Sequence, residues 1–251
     1  MLSRFLSQEQ EEERWKLSGR LYGMKRSKRE AKIERFFASE RKRLVRRKIK
    51  GRGIRDKAVL RAMKAVPRER FVPENLREFA YDDAPLPIGE GQTISQPYIV
   101  ALMIQAAALT ARSRVLEVGA GSGYCVAIMA RIAEKVFAVE RNETLAAELG
   151  PRLAGLGCQN VEIFAGDGSA GWPEEAPFDA IIVSAVAPHI ADPLLQQLAP
   201  GGRLVIPVSR DDGEQRLLRV TRHGEERFEE EDLGGVKFVP LIGEEAFAPS
   251  T

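Results

Sequence analysis

A chain of 251 residues, 44% apolar and 29% charged, fits one globular domain with a sizeable core and lies far from collagen-like, mucin-like or disordered compositions. The net charge of +2 conceals a split, because residues 1–50 carry 17 Lys/Arg against 7 Glu while the remaining 201 carry 21 against 29 acidic residues. No apolar run reaches bilayer length, the start of the chain turns quickly into a Glu run rather than a secretory signal, and the two cysteines give no disulfide framework. A reducing cytoplasm is therefore the expected location, and two histidines are too few for a His/Cys zinc cluster, so no metal is expected.

Residues 1–50 lack proline and are rich in Arg, Lys, Glu and Gln, with loosely helical apolar spacing at 33, 36 and 37 and again at 44, 45 and 49. Two readings compete for this extension. One is a solvated helix or partly disordered segment; the other is a basic arm for nucleic acid or another acidic surface, since Arg41 to Lys50 is a dense cation cluster. A mitochondrial presequence fits poorly with seven acids. Gly51-Arg-Gly53 punctuates the chain, so the expected division is a basic extension over 1–50 and a catalytic domain over 51–251.

An amphipathic helix is predicted from Asp56 to Ala65, ended by Val66-Pro67, and a proline-rich connection follows to Pro97. Pro97 stands at the first turn of a helix running to Leu109. Strands are then predicted at Val115–Val118, Val136–Glu140, Val161–Phe164, Ala180–Ser184 and Arg203–Val208. Helices are predicted at Tyr124–Ala133, Glu143–Leu156 and Pro193–Leu198. Short apolar strands alternating with helices predict an α/β fold, doubly wound around a mostly parallel sheet. At the end, Arg216–Thr221 and Val236–Leu241 read as strands joined by a Glu-rich turn, closing the sheet in antiparallel fashion.

The window Val115-Leu-Glu-Val-Gly-Ala-Gly-Ser-Gly-Tyr124 carries the chemistry. A dinucleotide fingerprint would need glycine at 119, 121 and 124, but 124 is tyrosine. Gly119, Gly121 and Gly123, preceded by Glu117, instead resemble the loop of S-adenosylmethionine-dependent methyltransferases, a Rossmann-like class. An acid beside the loop suits a ligand that carries an ammonium and a sulfonium. Glu140, 21 residues after Gly119, ends the second strand where a carboxylate accepts ribose hydroxyls. Asp167 and Gly168 follow the third strand, where the adenine amino group is expected. A tight turn with no ligand, or solvated acids, would explain each element alone but not three in order at successive strand ends. No phosphate-binding G-x-x-x-x-G-K-[ST] loop and no G-x-S-x-G nucleophile turn occur, and His189 reads as an exposed loop residue.

The acceptor is suggested by the segments before the first strand. Val66-Pro-Arg-Glu-Arg-Phe-Val-Pro73 and Ala80 to Pro97, with Thr93-Ile-Ser95 at its heart, resemble the protein-L-isoaspartate (D-aspartate) O-methyltransferase family. The likeness continues through Val115–Tyr124, Val139-Glu140, Gly166–Gly168 and Phe178–Val183 to Val236–Gly243, covering roughly Gly53 to Gly243. The resemblance implies methyl transfer from S-adenosylmethionine to the carboxylate of L-isoaspartyl or D-aspartyl residues in damaged proteins, by a monomer that needs no membrane. It implies Ser95 as the catalytic residue, Thr93 beside the cofactor, and Gln92 and Ser184 toward the substrate, with Gln92 and Thr93 on one wall. The plainer reading of Ser95 is a helix N-cap ahead of Pro97. The Pro85–Gly89 segment and the loop around Val186–His189 are expected to wall the peptide groove. Where the family commonly reads Val-Thr-Ala-Ala, this chain has Val183-Ser-Ala-Val186, a departure at that loop. The rivals are a methyltransferase with another acceptor, conceivably nucleic acid, and a non-catalytic adenosyl-binding adaptor.

Overall fold

The structure, a computed structural model, describes residues 26–248. A helix α1 (Arg26–Leu44) runs through a π-helical turn (Val45–Ile49) into a short turn that stops at Gly53, where φ is 106°. Helix α2 (Lys57–Ala65) starts where the Asp56 side chain accepts hydrogen bonds from the Ala58 and Val59 amides, an N-cap worth about 1 kcal/mol. It ends at Val66, before Pro67.

The proline-rich connection holds a hairpin that the sequence does not predict: β1 (Leu86–Gly89) pairs antiparallel with β2 (Gln92–Ile94). Pro85 and Pro87 mask it, because proline is tolerated only where a strand edge needs no donor. Helix α3 (Pro97–Ala107) then starts with proline at its first turn, as predicted.

The alternation from Arg114 onward holds. Strands β3 (Arg114–Val118), β4 (Lys135–Glu140), β5 (Val161–Ala165), β6 (Phe178–Val183) and β7 (Leu198–Ser209) are parallel. Helices α4 (Tyr124–Met129), α5 (Glu143–Ala154) and α6 (Asp192–Gln196) lie between them. Strands β8 (Gln215–Arg222) and β9 (Phe228–Val236) add antiparallel, giving the order β5-β4-β3-β6-β7-β8-β9. Side chains alternate between two cores: Val115, Val136, Ala180 and Val205 join one, Leu116, Phe137, Ile181 and Leu204 the other. The sheet is therefore covered on both faces. Among the described residues no helix is long and apolar enough to cross a membrane.

Three details differ from expectation. Helix α4 stops at Met129, four residues short of Ala133. The Glu-rich stretch predicted as a turn is itself the edge strand β9, in which Glu231 faces Arg219 of β8 directly across the ladder and Asp232 reaches Arg216 on a diagonal. Exposed charges of this kind also guard a sheet edge. Beyond Val236 there is no strand to Leu241. That segment runs back over the strand ends, held by Val186 N–H to Val239 O at 2.9 Å and Leu241 N–H to Val186 O at 2.7 Å.

Candidate active site

The strand order reverses between β3 and β6, and the crevice at the carboxyl ends of these strands is where such sheets bind ligands. β3 delivers the glycine loop there. Gly119, Gly121 and Gly123 have φ of 80°, 53° and 84°, a region that favours glycine. The Gly121 N–H donates to Glu140 Oε2 at 2.7 Å, and Asn142 N–H donates to Glu140 Oε1 at 2.8 Å. A phosphate-binding loop keeps such amides for its ligand. Here a buried carboxylate takes one, which makes the crevice anionic and suits a cationic ligand. A carboxylate has about four lone-pair sites, so Glu140 keeps acceptor capacity beyond these two bonds.

Glu117 lies behind the loop, 1% exposed. Its Oε1 accepts from the Ser184 hydroxyl at 2.7 Å, while Oε2 is buried with no hydrogen-bond partner among the described residues. Burial pushes its pKa up to about 8, against the Ser184 hydroxyl and the neighbouring Cys125 thiol and with a further push from Glu140. A buried orphan carboxylate oxygen beside a glycine loop fits the ammonium of S-adenosylmethionine. Gly168 packs so closely that a Cβ there would lie 2.9 Å from the Cγ1 atoms of Val118 and Val139. Asp167 accepts from the Ser169 and Glu244 amides, each at 2.8 Å. Burial opposes its charge, but these bonds, the Ser169 hydroxyl and Arg141 hold its pKa below the ordinary carboxylate value.

A cavity of about 660 Å³ opens beside this crevice. Thr93, Ser95 and Ser184 all line it, together with Pro85. Gln96 occupies the helix N-cap position without a side-chain cap, and the Ser95 hydroxyl makes no hydrogen bond among the described residues. The N-cap reading of Ser95 thus gives way. Gln92 does not line the cavity: its amide donates to the Glu90 carbonyl in the hairpin turn, and strand alternation sends it to the face opposite Thr93. The opposite wall is also not the predicted one. Val186 and Ala187 are buried under bridges to Pro240 and Val208, His189 is exposed, and residues 213–216 and 235–239 form the wall instead.

Sequence reading also missed residues that only the tertiary fold brings to the site. Asp83 caps α3 from a distant loop, accepting from Tyr98 N–H at 3.0 Å, and pairs with Arg52 at 3.0 Å. Arg68 is wholly buried and donates to the carbonyl of Ser95. An arginine within a polar stretch reads as a surface cation, so composition offers no signal for it.

A sequence model of the protein-L-isoaspartate(D-aspartate) O-methyltransferase family matches residues 39–246. A protein-L-isoaspartate O-methyltransferase of Brucella anthropi is 59% identical over 196 residues, 78% of this chain and 90% of the relative. Protein-L-isoaspartate O-methyltransferase 1 of Rhodopseudomonas palustris is 55% identical over 212 residues, 84% of this chain and 86% of the relative. Among solved structures, a Plasmodium falciparum protein described as a protein-L-isoaspartate O-methyltransferase, in complex with S-adenosyl-L-homocysteine, superposes with a TM-score of 0.71. It is 30% identical, covering 80% of this chain and 98% of that one.

Proposed function

The chain belongs to the protein-L-isoaspartate(D-aspartate) O-methyltransferase family, and from that premise we propose that Ser95 orients the acceptor carboxylate while Glu117 and Glu140 hold the methyl donor. The protein is an S-adenosylmethionine-dependent carboxyl methyltransferase acting on L-isoaspartyl or D-aspartyl residues of damaged proteins, the first step of their repair. When bound, S-adenosylmethionine supplies a sulfonium methyl group that an acceptor oxygen takes by in-line displacement.

The residues are suited to that reaction by what they do not do. An acceptor carboxylate is already ionised near neutral pH, so no strong general base is needed. Ser95, whose hydroxyl is uncommitted, donates to one acceptor oxygen and leaves the other free to attack. A cation on the attacking oxygen would blunt it. Glu117 faces the ammonium of the donor, Glu140 accepts from the ribose, and Asp167, with Gly168 at its side, accepts from the adenine amine. Gly119, Gly121 and Gly123 let the backbone approach. Thr93 lies toward the donor and Ser184 joins the two halves, since it lines the acceptor cavity and donates to Glu117. Gln92 acts through the hairpin turn rather than on the substrate wall.

We assign residues 1–50 to a basic extension and 51–251 to the methyltransferase domain. The extension is docked on the domain through buried Leu44, Val45 and Ile49. Its exposed Lys42, Arg46, Arg47, Lys48 and Lys50 offer attraction to acidic damaged proteins rather than to nucleic acid. Cytoplasmic, monomeric action fits this reading.

The observation that carries the reading is the uncommitted Ser95 hydroxyl lining the same cavity as Ser184, which is bonded to Glu117. Ser95→Ala is expected to lower kcat on an isoaspartyl peptide about 100-fold while S-adenosylhomocysteine affinity stays within about twofold. A collapse of that affinity by calorimetry would instead place Ser95 in the cofactor pocket.

A further inference from the structure

Arg68 has the environment of a group kept for geometry. It is 0% exposed, and among the described residues no carboxylate lies within hydrogen-bond distance of its guanidinium. Burying a cation without an ion-pair partner is costly, and an apolar residue of similar volume would fill the same space more cheaply. Desolvation pulls its pKa down to about 10, against the fields of Tyr124, Tyr81, Asp83 and Asp82, so it still carries its charge at neutral pH.

Its partners are three backbone carbonyls. Nη1 donates to Ala80 O at 2.6 Å, and Nη2 donates to Ala84 O at 3.2 Å and to Ser95 O at 3.1 Å. Nε is buried without a partner, so the grip lies in the two-pronged end of the side chain. Ala80 and Ser95 are the two ends of the segment that carries the β1–β2 hairpin, so one guanidinium closes the base of that lobe. The Arg68 Cζ also lies 5.6 Å from the centroid of the Tyr124 ring, and Tyr124 follows Gly123 directly. One cation thereby spans the lobe holding Ser95 and the helix that ends the glycine loop.

We propose that Arg68 is a positioning residue for methyl transfer: by clamping Ala80, Ala84 and Ser95 beside Tyr124, it fixes where the Ser95 hydroxyl stands relative to the donor site. The inference rests on the assignment of Ser95 above. Only the arginine fork reaches carbonyls on both ends of the lobe at once; a lysine brings a point charge with no fixed plane. In-line displacement is sensitive to such placement, since about 1 Å of misplacement can cost about 100-fold in rate.

The test is a double-mutant cycle on the full chain, with S-adenosylmethionine and an isoaspartyl peptide. Arg68→Lys is expected to lower kcat about 10- to 100-fold while peptide KM and S-adenosylhomocysteine Kd stay within about twofold. In the Ser95→Ala background the same substitution should change kcat by less than about twofold, because the group it positions is gone. Arg68→Gln, which keeps amide donors without charge, should fall in the same pattern. Equal losses in both backgrounds would overturn the proposal, as would losses confined to KM or Kd. Loss of S-adenosylhomocysteine binding in both Arg68 variants would reduce the residue to a fold-holding one and overturn it too. If Ser95→Ala leaves kcat intact, the Ser95 assignment fails first; if it collapses kcat and Arg68→Lys does not, the clamp alone fails.

Discussion

On the proposed assignment of Glu117 to the donor's ammonium, its burial is coupled to ligand binding through its proton. Its pKa is pushed up to about 8, chiefly by burial, so the ligand-free chain holds it mostly protonated at neutral pH. For an acid raised in this way, the stabilising contribution is full below the unfolded pKa of about 4.3 and is lost as pH rises through about 8. A bound ammonium favours the carboxylate, so binding must expel the proton. Calorimetry of S-adenosylhomocysteine binding at pH 7, in buffers of different ionisation enthalpy, should report net proton release. Release should fade above pH 9 and vanish in Glu117→Gln. Buffer-independent heats for the unaltered chain would remove the ammonium assignment. Glu117, Glu140 and Asp167 are legible in the sequence because each stands where an apolar strand breaks at glycine or a turn. Arg68 and the Ser184–Glu117 bond are not, because both join segments tens of residues apart and leave no local pattern.

Among the elements, the parallel half of the sheet follows directly from its apolar strands, whereas the two hairpins that shape the acceptor cavity do not. In β1–β2 the prolines suppress the strand signal. In β8–β9 the exposed face is charged, so the strand reads as a turn until its acids are seen paired with Arg216 and Arg219. The wall formed by residues 235–239 is not part of the ladder beyond Val236, and a side chain holds it in addition to the backbone bond from Val186. Gln215 Oε1 accepts from Phe238 N–H at 2.6 Å, and Gln215 Nε2 donates to Phe238 O at 3.2 Å. Gln215→Ala should therefore loosen the acceptor wall and leave the donor crevice alone. Peptide KM is expected to rise about 3- to 10-fold, the loss of about 1 kcal/mol of binding. S-adenosylhomocysteine Kd should not change, and an unchanged KM would show that this wall does not touch the peptide.

At the scale of the whole molecule, the +10 segment and the −8 remainder meet through packing as well as charge. Phe37 lies 6.2 Å from the Tyr81 ring, Arg41 donates to the Tyr81 hydroxyl, and Leu44, Val45 and Ile49 enter the core. The glycines at 51 and 53, which the sequence offers as a boundary, end a helical segment whose Leu44, Val45 and Ile49 belong to the core while its final turn, Lys50–Arg52, is exposed. Phe37→Ala should cost about 1 kcal/mol in denaturant unfolding, the scale of one aromatic contact. Changing Leu44, Val45 and Ile49 together to alanine removes three buried aliphatic side chains and should cost at least about 4 kcal/mol. Equal stability of the two variants would mean that the buried residues add nothing. If the anionic crevice holds the donor and the Ser95 cavity the acceptor, both serve one reaction on one kind of carboxylate. The most direct measurement incubates the full chain with methyl-labelled S-adenosylmethionine and either an isoaspartyl peptide or its normal-aspartyl twin, then assays base-labile methyl ester. Label is predicted on the isoaspartyl peptide alone. Transfer to neither peptide, or equally to both, would contradict the account.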